Sequence, residues 1–227
     1  MRLSVAVAAG LLLCGCSTAV AGHGEYLGGG TTATTVPTST PPSTTASPTP
    51  TPTPPPVRYD PGRRMLACRG GQVLVPKGGP YCYLVPAGLR NVTGQVKLGT
   101  GTGAARYVTS VGLAGRDVIV VLAYRTPLDT DLLPNARIVA DLRGVLGSLA
   151  KAGFVFSSNT PRISTVDRAR AFTYHARSKD GSYQSELTFV FRGRSQIEVL
   201  CQYADSPVTM QRACGRVLAT LQIRTVT

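Results

Sequence analysis

Residues 168–203 read RARAFTYHARSKDGSYQSELTFVFRGRSQIEVLCQY, and this stretch decides the fold. Three runs rich in β-branched and aromatic residues, Arg168 to Arg177, Tyr183 to Phe191 and Gln196 to Tyr203, are parted by turn signals. Lys179-Asp180-Gly181 is the first turn and Gly193 marks the second. The spacing predicts a three-strand antiparallel meander, within a sheet signal that already begins at Ile163. Side chains alternate across a strand, so each run sorts into two faces. Phe172, Tyr174, Leu187, Phe189, Ile197 and Val199 are expected on one face, in the core. Thr173, His175, Arg177, Glu186, Thr188, Glu198 and Gln202 are expected on the other, facing water or a partner.

Downstream, Ser206-Pro207 is a helix start, with serine at the N-cap and proline at the first helical position. Met210, Cys214, Val217, Leu218 and Leu221 then form an apolar stripe. Upstream, Leu128 to Ala152 changes to helical period, with Ile138, Leu142, Val145, Leu146 and Leu149 on one stripe. Thr130 or Asp131 is expected to cap it, and Gly153 follows its end. Arg106 to Gly112 and Val118 to Tyr124 read as a hairpin around Ala114-Gly115-Arg116-Asp117. Tyr81 to Val92 reads as a strand followed by a turn. Gly99-Thr100-Gly101-Thr102-Gly103 lacks the Gly-Lys-Ser/Thr ending of a phosphate-binding loop and no helix pattern follows it, so it reads as a flexible connection.

The opening residues have another character. Met1-Arg2 gives a positive start, and Leu3 to Leu13 is apolar apart from Ser4 and Gly10. That run suits a signal sequence and is too short for a permanent membrane helix. It closes on Leu13-Cys14-Gly15-Cys16, which resembles the lipobox of bacterial lipoproteins. The resemblance implies removal of residues 1–15 as a lipoprotein signal peptide and acylation (diacylglycerol, the palmitate-type modification) on Cys16. An ordinary secretory signal cut near Ala19 or Ala21 is the alternative. Residues 16–57 follow as a linker: Thr31 to Pro56 is nearly all Thr, Pro, Ser and Ala. It lacks the apolar surface to offset ordering entropy and is expected to be disordered. At roughly 3.1 Å per residue in an extended proline-rich form, about forty residues reach on the order of 100 Å. Residues 58–227 are expected to fold as one domain.

Six cysteines are present. With Cys14 lost and Cys16 acylated, Cys68, Cys82, Cys201 and Cys214 remain, an even number suited to two disulfides in an exported domain. Of three pairings, Cys68–Cys82 and Cys201–Cys214 are expected. Each bridges elements that the pattern already brings together: a turn folding on itself, and a strand with the last helix packed over it.

The formal net charge is +13 and the pI about 10.0. A basic domain outside the cell points to anionic lipid, an acidic wall polymer or an acidic protein, and not to nucleic acid; charge that serves solubility alone is the equal alternative. Only two histidines occur, His23 in the linker and His175 in a strand. A two- or three-histidine metal site in the domain is therefore excluded. A Ser-His-Asp triad would have to use His175, and no Gly-x-Ser-x-Gly elbow supplies its serine. Glu186 and Glu198 could pair for glycoside hydrolysis, but on an arginine-rich sheet they read as ion-pair partners. No catalytic residue, metal or cofactor is expected.

The whole order, from Tyr83-Leu84-Val85-Pro86-Ala87-Gly88 through hairpin, long helix, meander and terminal helix, resembles the Mog1/PsbP-like fold, in particular the LpqN-type lipoproteins of actinobacteria. It departs from them at Leu89, where tryptophan is frequent. The resemblance covers roughly Pro80 to Ile223 and implies an α+β sandwich, an antiparallel β-sheet packed with helices. It also implies a non-enzymatic accessory protein that binds another envelope protein, at the outer face of the cell membrane. A carrier or sensor of a small or lipidic ligand, held between a helix and the sheet, is the alternative.

Overall fold

The computed structural model describes residues 68–96, 105–113 and 115–224. Cys16, residues 1–57 and the glycine-rich segment at 99–103 lie outside them. Eleven strands and two helices are seen among the described residues. The main sheet contains β3 (Arg90–Asn91), β4 (Tyr107–Gly112), β5 (Val118–Arg125), β6 (Phe154–Phe156), β7 (Arg162–Val166), β8 (Ala169–Ser178), β9 (Gln184–Arg192) and β10 (Ser195–Tyr203). Its order is β3-β4-β5-β10-β9-β8-β6, and β7 also pairs with β8. A smaller sheet is ordered β1 (Val73–Leu74), β2 (Tyr81–Leu84), β11 (Gln222–Ile223). Every pairing is antiparallel. The chain is therefore α+β, an antiparallel sheet packed with helices.

The three predicted strands are β8, β9 and β10, with ends within one residue of expectation. The meander has a fourth member, β7, joined to β8 by the two residues Asp167 and Arg168, at φ +47° and +63°. Both central residues of such a tight hairpin are left-handed so that its twist matches the strands. Neither residue is glycine, so the turn carries strain, which Arg192 opposes from β9. Its guanidinium donates to the Asp167 carboxylate at 3.1 Å and to the Asp167 carbonyl.

The sheet is covered on both faces. α1 (Asn135–Lys151) brings Ile138, Leu142 and Leu146 onto Phe172, Tyr174, Leu187, Phe189 and Phe191. On the opposite face α2 (Pro207–Thr220) and the small sheet bury Met210, Cys214, Val217, Tyr81 and Tyr83 against Ala171, Val190, Ile197, Val199 and Val121. This corrects the expectation for β10. Arg192 and Ser195 are directly paired across a two-residue turn, so Phe189 pairs with Glu198. Ile197 and Val199 therefore face α2, while Glu198 shares the α1 face with Phe172 and Phe189. Thr173 and Thr188 do not see water either; they are buried under the α2 layer and hydrogen-bonded at 3.0 Å. A central strand buried on both faces reads as a near-continuous apolar run, as Val118–Arg125 does.

α1 starts later than predicted. Leu133 is held extended by the proline that follows it, so the helix begins only after Pro134. Residues Thr130–Leu132 form a separate 3₁₀ turn, in which Asp129 accepts from the Asp131 N–H at 3.0 Å. α2 begins at Pro207 with Ser206 at its N-cap, though the serine side chain makes no capping bond. No helix among the described residues is long and apolar enough to cross a membrane.

Candidate functional site

Glu198 is the chemically distinctive side chain of the sheet. β10 is apolar on both sides of it, and its neighbours across the strands are Leu122 and Phe189. It is 6 % exposed. The Tyr124 hydroxyl, one row along on β5, donates a hydrogen bond to the carboxylate. Burial penalises the charged form and pushes the carboxyl up to about 7, against the lowering effect of that hydrogen bond. Tyr124 is pushed well above the usual phenol range by burial and by the adjacent carboxylate. Near neutral pH Glu198 can therefore present either a donor or an acceptor.

Two more polar groups lie on this face. The hydroxyls of Tyr174 and Ser185 are buried and have no hydrogen-bond partner. Tyr174 sits in β8 directly opposite Leu187, and Ser185 opposite Ala176. Burial raises the Tyr174 phenol, while Arg143 on α1 opposes the rise. A buried hydroxyl without a partner costs free energy, so these two groups are polar exceptions in an otherwise apolar layer.

The opposite face is fully bonded where it is deepest. Tyr81 donates to the Val121 carbonyl at 2.8 Å, and Tyr83 donates to the Thr109 hydroxyl at 3.0 Å. Burial raises both phenols, Tyr83 to about 12. Cys68–Cys82 and Cys201–Cys214 are the bonded pairs, with Cα separations of 6.1 and 6.0 Å. The first staples the start of the described domain to β2, the second β10 to α2.

The sequence-singled residues do not converge. His175 is half exposed on the α2 side of the sheet, its Nδ1 3.9 Å from Glu186. Glu186 pairs with Cys201 and His175, on that same side. Glu198 is on the other side, which corrects their placement on one face: the sheet itself separates the two carboxylates. Among the described residues no group of three or more His, Cys, Asp or Glu could hold a metal ion. At the far end of the meander the buried Asp117 accepts from the Ala204 and Asp205 N–H groups at 2.8 and 3.1 Å. It thereby ties the β4–β5 turn to the segment before α2. Sequence reading passed over it as a turn residue.

No protein-family model and no curated protein matches the chain. Solved structures do. The solution structure of cyanobacterial PsbP (CyanoP) from Synechocystis matches at 12% identity and TM-score 0.48, over 67% of this chain and 91% of that one. The crystal structure of LpqN of Mycobacterium tuberculosis, described as involved in cell envelope biogenesis, matches at 16% identity and TM-score 0.45, over 68% and 91%. A crystal structure from Bacteroides thetaiotaomicron matches at 12% identity and TM-score 0.43, over 68% of this chain and 49% of that one. The α+β assignment rests on the strand order and helix placement given above.

Proposed function

We propose that the chain is a lipid-anchored, non-enzymatic accessory protein of the cell envelope, on the outer face of the cell membrane, which binds another envelope protein. The observation that carries this is an order along the chain. An apolar run closed by Leu13-Cys14-Gly15-Cys16 precedes a Thr/Pro-rich tether, and that precedes a domain with two disulfides. Disulfides suit an oxidising compartment, and an acylated N-terminal cysteine anchors a domain without a spanning helix, while a long tether gives it reach away from the membrane. Binding rather than hydrolysis is supported by Glu186 and Glu198 lying on opposite sides of the sheet.

The test is detergent phase partitioning and intact mass of the chain expressed in a lipoprotein-processing bacterium. The wild type is expected in the detergent phase with acylated Cys16 at its N-terminus, and Cys16→Ser is expected to stay unprocessed. An unmodified N-terminus at Ala19 or later would overturn the anchor. Proximity labelling in the native host is expected to recover an envelope protein.

The second reading, a carrier or sensor of a small or lipidic ligand, is favoured by the buried hydroxyls of Tyr174 and Ser185, which lack a hydrogen-bond partner on the α1 face of the sheet. Native mass spectrometry of host-purified protein separates the two. A co-purifying ligand lost in Tyr174→Phe/Ser185→Ala supports the carrier.

A further inference from the structure

We infer that the loop between β5 and α1 is a docking tip for an anionic membrane surface, a contact beyond the acyl anchor and independent of it. The loop presents its leucines outward: Leu132 is 82% exposed and Leu128 56%. Single exposed leucines are ordinary. These two share one turn, and the turn is pinned from behind. Thr130 donates through both its N–H and its hydroxyl to the Gly193 carbonyl, at 2.7 Å each. The Gly193 N–H returns a bond to the Asp131 carboxylate at 3.0 Å. Arg170 donates to the Leu133 carbonyl at 2.6 Å, to Asn135 at 3.0 Å and to the Thr130 carbonyl. These bonds fix the backbone of the turn in a form that leaves both leucine side chains exposed.

The surroundings name the chemistry of that partner. Arg125 ends β5 and pairs with Ser195. Arg194 accepts the Thr126 N–H at its carbonyl, so its turn lies against the loop. Arg168 occupies the β7–β8 turn at the same end of the sheet, and Arg106 precedes β4 there. All four are exposed. Two carboxylates share the loop, Asp129 and Asp131, and each accepts a backbone N–H. Asp167, in the same turn as Arg168, is ion-paired with Arg192, so four exposed arginines against three bonded aspartates leave the tip basic, on a chain of net charge +13. Projecting leucines at an arginine-rich end of the sheet suit insertion at the boundary of headgroups and acyl chains. A protein interface would instead seek a packed aromatic anchor.

The chain has no tryptophan, which supplies the test. Leu132→Trp puts a single reporter on the tip, and Val208→Trp puts one beyond the opposite end of β10. Each full mature chain is added to mixed phosphatidylglycerol–phosphatidylcholine vesicles carrying brominated acyl chains. The Leu132→Trp emission is expected to shift blue and be quenched, that of Val208→Trp to do neither, and pure phosphatidylcholine to abolish the difference. In the chain started at Ser17, which lacks the acyl anchor, replacing Arg125 or Arg194 by Gln should weaken vesicle binding about fivefold each at low salt. Unquenched Leu132→Trp, or equal quenching of both reporters, would overturn the proposal. So would a tip that shifts blue only with an added envelope protein. Intact mass reads acylation separately, so failure of the anchor and failure of the docking tip are told apart.

Discussion

Replacing Glu198 by Gln should remove most of the pH dependence of stability between about pH 5 and pH 8. In the folded chain the carboxyl titrates near 7, against 4.5 for an unburied glutamate. The folded state therefore holds this proton more tightly than the unfolded state does. By linkage, stability is greatest below pH 4.5, falls as pH rises through the window up to about 7, and is level above it. The full difference is on the order of 3 kcal/mol at about 1.4 kcal/mol per pH unit. Between pH 5 and pH 8 it is roughly 2.5 kcal/mol. Glutamine keeps the shape, stays neutral and can still accept from Tyr124. Urea unfolding with disulfides intact should show Glu198→Gln more stable than wild type by that amount at pH 8, and near it at pH 5. Other titrating groups act alike in both chains, so the difference isolates this site. Parallel pH profiles would refute the burial argument.

Thr109→Val strands the hydroxyl of Tyr83 and deprives Tyr81 of a 2.9 Å partner; a loss of about 2 kcal/mol is expected in denaturant unfolding. Asp167→Ala leaves the Arg192 guanidinium, 3.1 Å away and mostly buried, without its carboxylate, and should cost about 3 kcal/mol; thermal unfolding reads it. His175→Ala should change stability by less than about 0.5 kcal/mol, because the ring is 53% exposed and 3.9 Å from Glu186.

Much of the frame was legible because its signals are local. The α1 stripe of Ile138, Leu142 and Leu146, the Ser206-Pro207 start of α2 and the turns at Gly181 and Gly193 all act over a few residues. The bridges Cys201–Cys214 and Cys68–Cys82 span short separations and join elements that those signals place together. The error at Glu198 has a definite origin. The face of Ile197 was inferred from composition, whereas the two-residue turn between Arg192 and Ser195 fixes the register by counting, and the count puts Glu198 beside Phe189. Polar Thr173 and Thr188 suggested an open face; they are buried as a hydrogen-bonded pair, which composition does not reveal. β2 falls at the start of the strand read from Tyr81, but its partners β1 and β11 were beyond reach, since strands of two residues have no period. The helical period read from Leu128 starts too early because Pro134 sets the helix boundary.

β11 carries a consequence for the order in which the molecule can be finished. Ile223 pairs with Tyr81, and its N–H and carbonyl engage Asp167 and Arg192 at 2.8 and 2.9 Å. One of the last strands in the sequence thus completes a sheet begun by one of the first. While the chain is being made and moved, N-terminus first, β2 has an unfilled edge until residue 223 arrives, although the Cys68–Cys82 loop can already be closed. The hairpin turn at Asp167 waits for the same residue to receive its backbone partner. The small sheet is therefore closed only once residue 223 has been made, and a chain arrested before it would expose an unpaired strand edge to its neighbours.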